Sequence, residues 1–248
     1  MDRRRPSNAS VSEEGQGSPR YSSNTVMPVL YTNCRSLLKK MDELRIELSD
    51  AKRKRPMVIC LTEVWTHGEI TDNELQLDGY ELKIRKDRLD NKKGRGGGIL
   101  VYADKALNAE EDTKFQVGDF NQAACLQVKF QGGHVRIITI YRSPNSAASN
   151  NEALERIVRS PGSQTIMVGD FNFRNIDWEK SIATDAINRN FLEACEDGFL
   201  SQHVTFPTRG ENTLDLILAT DPNLIGCVSN LGKLGNSDHV MFEFEIMG

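Results

Sequence analysis

Met57-Val58-Ile59-Cys60-Leu61 is apolar at every position and stops abruptly at Thr62-Glu63. An alternating strand can leave one face in water, but a strand with no polar face must be covered on both sides, so this segment demands a layered architecture. Two further runs share this character and also carry an acid. Ile166-Met167-Val168-Gly169 leads into Asp170, and Asp215 interrupts Thr213-Leu214-Asp215-Leu216-Ile217-Leu218. A lone carboxylate in such a run is costly unless it pairs or meets a metal, which points to chemistry at the strand ends.

The chain has 248 residues, 38% hydrophobic and 27% charged, enough for one substantial core. Residues 1–24 are Ser, Gly, Pro, Arg and Glu with almost nothing apolar, which predicts a disordered tail ahead of a single domain over 25–248. A net charge of −4 argues against binding nucleic acid by bulk electrostatics and requires any such contact to be local. The five cysteines are widely spaced and odd in number, which fits neither a disulfide framework nor a zinc cage. No apolar run approaches the roughly 18 residues of a membrane span, and no signal peptide is evident. The expected setting is intracellular and reducing, with no membrane partner, and the nucleus is the expected compartment.

Strands are predicted at 27–31, 57–61, 80–85, 98–102, 123–130, 135–141, 165–169, 213–219, 226–231 and 240–246, and helices at 36–51, 151–159 and 186–197. Many strands with few helices predict an α/β fold of two mixed sheets packed face to face with helices outside. The glycine-rich stretch 94–98 lacks the Lys-Ser/Thr of a P-loop and reads as a turn. The basic run Arg85, Lys86, Arg88, Lys92, Lys93, Arg95 either follows a phosphate backbone or is a solvated loop.

Glu63 is placed at a sheet rim, where open α/β folds bind ligands, although a solvated loop acid has the same sequence signature. Asp170 and Asn172 lie two apart and would face the same side of an extended segment, an acid to handle a water proton beside an amide to hold a phosphate; a turn-forming pair is the alternative. Asp215 needs a partner. His239 is suitable, because a carboxylate on one ring nitrogen fixes the tautomer and favours the imidazolium; backbone amides are the alternative. Asp238 adds a second acid ahead of the final strand.

Taken in order, Tyr-Thr-Asn-Cys-Arg-Ser (31–36), Leu-Thr-Glu (61–63), Ile-Tyr-Arg-Ser-Pro (140–144), Gly-Asp-Phe-Asn (169–172), Thr-Leu-Asp-Leu-Ile-Leu (213–218) and Ser-Asp-His (237–239) resemble the endonuclease/exonuclease/phosphatase superfamily, which includes pancreatic deoxyribonuclease and the abasic-site endonucleases. Arg-Gly-Gly-Gly-Ile-Leu-Val-Tyr (95–102), Tyr-Arg-Ser-Pro and Thr-Phe-Pro-Thr-Arg (205–209) resemble the endonuclease domains of non-long-terminal-repeat retrotransposons of the jockey and chicken-repeat kind. The resemblance implies a four-layer α/β sandwich that hydrolyses a phosphodiester with Mg²⁺, Mn²⁺ also serving, and nicks double-stranded DNA to leave a 3′-hydroxyl for a reverse transcriptase of the same element.

By motif position the resemblance implies that Glu63 binds the metal with support from Asn33, while Asp238 completes the metal and water shell. Asp170 aligns or deprotonates water, Asn172 binds phosphate, and Tyr141 donates to a phosphate oxygen or the metal site. Asp215 orients His239, which stabilises the charged phosphorane. Arg95, Thr205 and Arg209 fall in the retrotransposon-like strings as nucleic-acid contacts. Family members with Tyr-x-Pro-Asn are one residue shorter than Tyr141-Arg142-Ser143-Pro144-Asn145, so Arg142 stands as a replacement for Asn145 in holding phosphate. The same fold also acts on inositol polyphosphates, sphingomyelin or poly(A), and a catalytically inactive DNA-binding module is the remaining alternative.

Overall fold

In chain order the strands are β1 (Val26–Asn33), β2 (Val58–Thr62), β3 (Tyr80–Lys86), β4 (Ile99–Asp104), β5 (Ala109–Glu111), β6 (Ala123–Phe130), β7 (Gly133–Tyr141), β8 (Thr165–Asp170), β9 (Ile176–Asp177), β10 (Ile182–Ala183), β11 (Ser201–Gln202), β12 (Asp215–Ala219), β13 (Ile225–Asn230) and β14 (Phe242–Met247). The helices are α1 (Met41–Ser49), α2 (Ala148–Arg159) and α3 (Ala186–Asp197). This computed structural model describes residues 26–87, 96–115, 118–120 and 122–248. The tail expected at 1–24, together with Arg88, Lys92, Lys93 and Arg95, lies outside the described residues.

Two six-stranded sheets result, ordered β13-β14-β1-β2-β4-β3 and β11-β12-β8-β7-β6-β5, with β9 and β10 forming a small separate hairpin. Each sheet is antiparallel except for one parallel pair, β1 with β2 and β7 with β8. Each of those pairs is joined through a helix, α1 or α2, as a parallel connection requires. Alternation then sorts the side chains. Tyr31, Cys60, Val101, Ile137, Val168, Ile217 and Phe242 fill the core between the sheets. Met167, Leu216 and Leu218 face α2 and α3, while Ile59, Leu61 and Leu100 face α1. Three cores between four layers make an α/β sandwich, as the apolar runs require. Burying each such Leu, Ile or Val contributes about 1.5–3 kcal/mol.

The first helix begins later than the periodicity predicts. Arg35 and Ser36 hold φ of 41° and 79°, in the left-handed region, so the chain turns there and enters a 3-10 turn at Leu38–Lys40 before α1. Lys40 makes this possible. Its buried ammonium donates to the carbonyls of Cys34 (2.5 Å), Arg35 (2.9 Å) and Ser36 (3.4 Å), satisfying oxygens that the reversed backbone turns inward. Gly169 has a different reason: a Cβ there would overlap the carbonyl of Ile140, so only glycine lets β7 and β8 close up beside Asp170. Among the described residues no helix is long and apolar enough to cross a membrane.

Candidate active site

The strand directions gather the polar residues at one rim. β7 and β8 are parallel and β12 runs against β8, so Tyr141 pairs with Asp170 and Asp170 with Asp215 in adjacent registers. In the facing sheet Asn33 pairs with Thr62 at the same end, and Glu63 follows directly. Alternation points Tyr141, Asp170 and Asp215 between the sheets, towards Tyr31 and Asn33. His239 arrives just ahead of β14, tied by the Arg209 bridge and by Val240 N donating to Thr208 O at 2.8 Å.

Asp170, Asp215 and His239 are all 0% exposed. Asp215 Oδ2 lies 2.7 Å from His239 Nδ1, and its Oδ1 accepts from the Tyr31 hydroxyl at 2.7 Å. The opposite imidazole atom, Nε2, has no hydrogen-bond partner among the described residues and sits 3.9 Å from Asp170 Oδ2. Asn33 Nδ2 donates to that same Oδ2 at 2.8 Å, so both carboxylates of one sheet are held by side chains of the other. Burial alone would lower the His239 pKa, but the Asp215 charge and hydrogen bond, with Asp170 behind them, raise it. Burial first, then the charges of Asp215 and Glu63, push the Asp170 carboxyl well up despite His239 and Asn33. Burial and the charges of Asp215 and Asp170 raise Tyr31, which therefore acts as a neutral donor.

Glu63 takes a left-handed φ of 49° and has two donors: the Tyr141 hydroxyl to Oε1 at 2.9 Å and Trp65 Nε1 to Oε2 at 3.1 Å. Burial and the Glu63 charge raise Tyr141, so it too is a neutral donor. The orphaned buried atoms at this rim are His239 Nε2, Asn172 Oδ1 and Asp238 Oδ1. Glu63, Asp170 and Asp215 outnumber the single imidazole among them, and the ligand atoms of Asp170, Asp215 and His239 lie within 4.8 Å of one another. Two unpaired oxygen acceptors, Asn172 Oδ1 and Asp238 Oδ1, beside this excess of acid fit a divalent cation with oxygen ligands.

Three positions, Asn172, Arg142 and Asp238, differ from what the sequence predicts. Asn172 is not on an extended segment. Its φ is 53°, and its N–H donates to Asp170 Oδ1 at 3.1 Å, so the turn pair and the site residue are one arrangement. Arg142 is only 4% exposed; it donates to Asn151 Oδ1 (2.8 Å) and to the carbonyls of Phe171 (3.2 Å) and Asn172 (3.0 Å) while stacking on Phe173. Burial lowers its pKa to about 10, and the guanidinium braces the Asn172 turn instead of meeting phosphate. Asp238 stands apart from the Asp170 cluster, its Oδ2 bonded to Arg35 (2.9 Å) and Arg209 (2.7 Å). Burial would raise the Asp238 pKa, but those guanidinium groups bring it below the usual range. Asn145 and Thr205 are exposed and lie outside the buried cluster.

Sequence reasoning passed over several supports. Thr208 Oγ1 accepts from the N–H groups of Leu214 (2.9 Å) and Asp215 (3.0 Å), and Ser237 Oγ donates to Asn33 O (2.9 Å). Tyr31 looks like an ordinary core aromatic in a strand. The one available signal was Lys40, a cation on the Leu37, Met41 and Leu44 stripe of the first helix.

Residues 135–243 match the family model described as endonuclease-reverse transcriptase. The match takes in Tyr141, Asp170, Asn172, Asp215, Asp238 and His239, running from β7 into β14. This chain has the endonuclease/exonuclease/phosphatase fold. The endonuclease domain of TRAS1, a telomere-specific non-LTR retrotransposon, superposes with a TM-score of 0.68 at 18% identity, over 90% of this chain and 98% of that one. The AP endonuclease LMAP from Leishmania major gives a TM-score of 0.68 at 14% identity, over 90% of this chain and 88% of its own. The 3′-5′ exonuclease NExo from Neisseria meningitidis gives 0.65 at 17% identity, over 90% and 100%. No curated protein sequence matches. This fold carries nucleases and phosphatases, and the chain is similar to a retrotransposon endonuclease.

Proposed function

We propose that the chain is a metal-dependent endodeoxyribonuclease that nicks double-stranded DNA and leaves a 3′-hydroxyl to prime reverse transcription, in the nucleus, by a polymerase of the same element. The observation that carries the reading is the buried Asp215–His239 pair, whose free Nε2 lies 3.9 Å from Asp170. A core does not keep an unpartnered imidazole nitrogen beside an uncompensated acid for stability, since each such group costs about 1–3 kcal/mol.

Asp170 aligns the attacking water and takes its proton. The new P–O bond forms as the P–O3′ bond breaks, and the departing oxygen takes a proton from solvent to become the 3′-hydroxyl, leaving a 5′-phosphate. His239, kept as an imidazolium by Asp215, donates from Nε2 to the non-bridging oxygens as their charge grows. Asn172, fixed by Arg142, holds phosphate. Glu63 and Asp170 would hold the cation, Mg²⁺ or Mn²⁺, with Tyr141 and Asn33 fixing their carboxylates and Asp238 Oδ1 facing its water shell. The ion supplies Lewis-acid polarisation of the phosphoryl oxygen. The retrotransposon endonuclease likeness and the endonuclease-reverse transcriptase match support DNA as substrate.

The test is relaxation of supercoiled plasmid with Mg²⁺, followed by polymerase extension. The reading expects nicked circles that extend without prior phosphatase treatment and no cleavage in EDTA. A 3′ phosphatase of the same fold, NExo bound to a DNA hairpin, is a structural neighbour. Release of phosphate from 3′-phosphorylated DNA or a phosphoinositide, with intact plasmid, would transfer the assignment to a phosphatase.

A further inference from the structure

A cavity of about 870 Å³ opens directly beside this rim, lined by Arg35, Ser36, Lys39, Glu43, Trp65 and Asn236 among others. Its size is that of a small-ligand site. Two of its walls are shared with the active site: Arg35 bonds Asp238, and Trp65 bonds Glu63. We propose that it takes one nucleotide of the substrate strand next to the scissile phosphate, with the base stacked on the Trp65 indole and the adjoining phosphate on Arg35 and Lys39.

The indole is set up for this. Trp65 holds φ of 59°, a conformation bulky residues adopt at a cost, and its backbone N–H donates to Gly97 O at 3.1 Å to fix it there. Its single polar hydrogen is turned inward to Glu63, which leaves the ring faces as its outward chemistry. Among the described residues no other aromatic ring packs on it, whereas Trp178 lies edge-on to Phe191 in the outer core. The Lys39 ammonium is exposed without an ion-pair partner among the described residues, and the Arg35 side chain is 45% exposed. A flat π-face beside two accessible cations matches a base and its phosphate. Because a base must leave its stack to reach Trp65, the pocket favours target steps that open easily, which makes Trp65 a specificity-determining residue.

The inference rests on the nuclease reading and is tested separately from it. The chain has two tryptophans, so Trp178→Phe leaves Trp65 as the only one. Titrating that protein with a duplex oligonucleotide in Ca²⁺ should quench its emission saturably. In nicking assays Trp65→Ala should raise KM roughly 5- to 150-fold, the range that stacking one base supplies, and even out the spread of cleavage positions on random duplexes. Trp65→Phe keeps a ring but loses the bond to Glu63, and should retain most of the KM. If Trp65→Phe and Trp65→Ala instead lose kcat equally with KM unchanged, or if DNA that is nicked leaves the emission unaltered, the pocket assignment fails while the nuclease reading stands. If the wild-type chain neither binds nor nicks DNA, both fail.

Discussion

His239 has one ring nitrogen on Asp215 and the other free, so its protonation is set mainly by a single carboxylate. If the imidazolium is the working form, the rate should fall as pH rises through a pKa lifted above the ordinary imidazole value. Asp215→Asn keeps the shape but removes the charge. The nicking rate should drop by about 10²–10⁴, and the alkaline fall should move to lower pH; a pH–rate profile checks both. An unmoved profile would remove Asp215 from that role. Asp170 and Asp215 were legible in the sequence because a charge at or inside an apolar strand has no cheap explanation, and His239 as the partner Asp215 needs; Asn33 was legible only through its place in the family motif. Tyr31 was not, since a phenol in a strand carries no such signature until its partner is known. Arg142 misled for the converse reason: sequence shows a charge, but not the burial or the three oxygens that turn it to bracing the Asn172 turn.

At the scale of elements, α3 spans the predicted 186–197, and Asp185 caps its start. That carboxylate accepts from Asn188 N at 3.0 Å and from Asn188 and Asn175 side chains, which hold its pKa down to about 2. Asp185→Ala should cost about 1 kcal/mol in urea unfolding at neutral pH. The sign follows from the depressed value: the contribution is complete above the unfolded carboxylate pKa of about 4 and is lost as pH falls from there towards 2. The difference between the two proteins should therefore shrink over that interval. The first α-helix starts at Met41, five residues after the predicted start, because the left-handed turn at Arg35 and Ser36, held by Lys40, and the 3-10 turn Leu38–Lys40 come before it. Strands β5, β9, β10 and β11 were missed because segments of two or three residues show no period.

Across the whole molecule, the two sheets are joined at the rim by Tyr31 to Asp215 and by Asn33 to Asp170 as well as by the apolar core. Tyr31→Phe leaves a buried carboxylate oxygen short of its donor and should lower unfolding stability by about 1–3 kcal/mol, measured by urea denaturation. An unchanged midpoint would mean that Asp215 is satisfied elsewhere. The same rim gathers acids from both halves of the chain, so a cation bound there should bind only the folded state. Mg²⁺ or Mn²⁺ should raise the Tm of the wild-type chain and have little effect on Asp170→Asn, a shift that scanning fluorimetry reads without any substrate. The layer order was legible from strands apolar on both faces; the cross-sheet ties were not, because they join residues 137 and 184 positions apart.

In the proposed reaction Asp170 and His239 act on one phosphorus. Single-turnover nicking of one duplex by wild type, Asp170→Asn and His239→Ala, each first shown to be folded, tests this most directly. Losses of about 10² or more in both variants are expected; cleavage by either at the wild-type rate would contradict it.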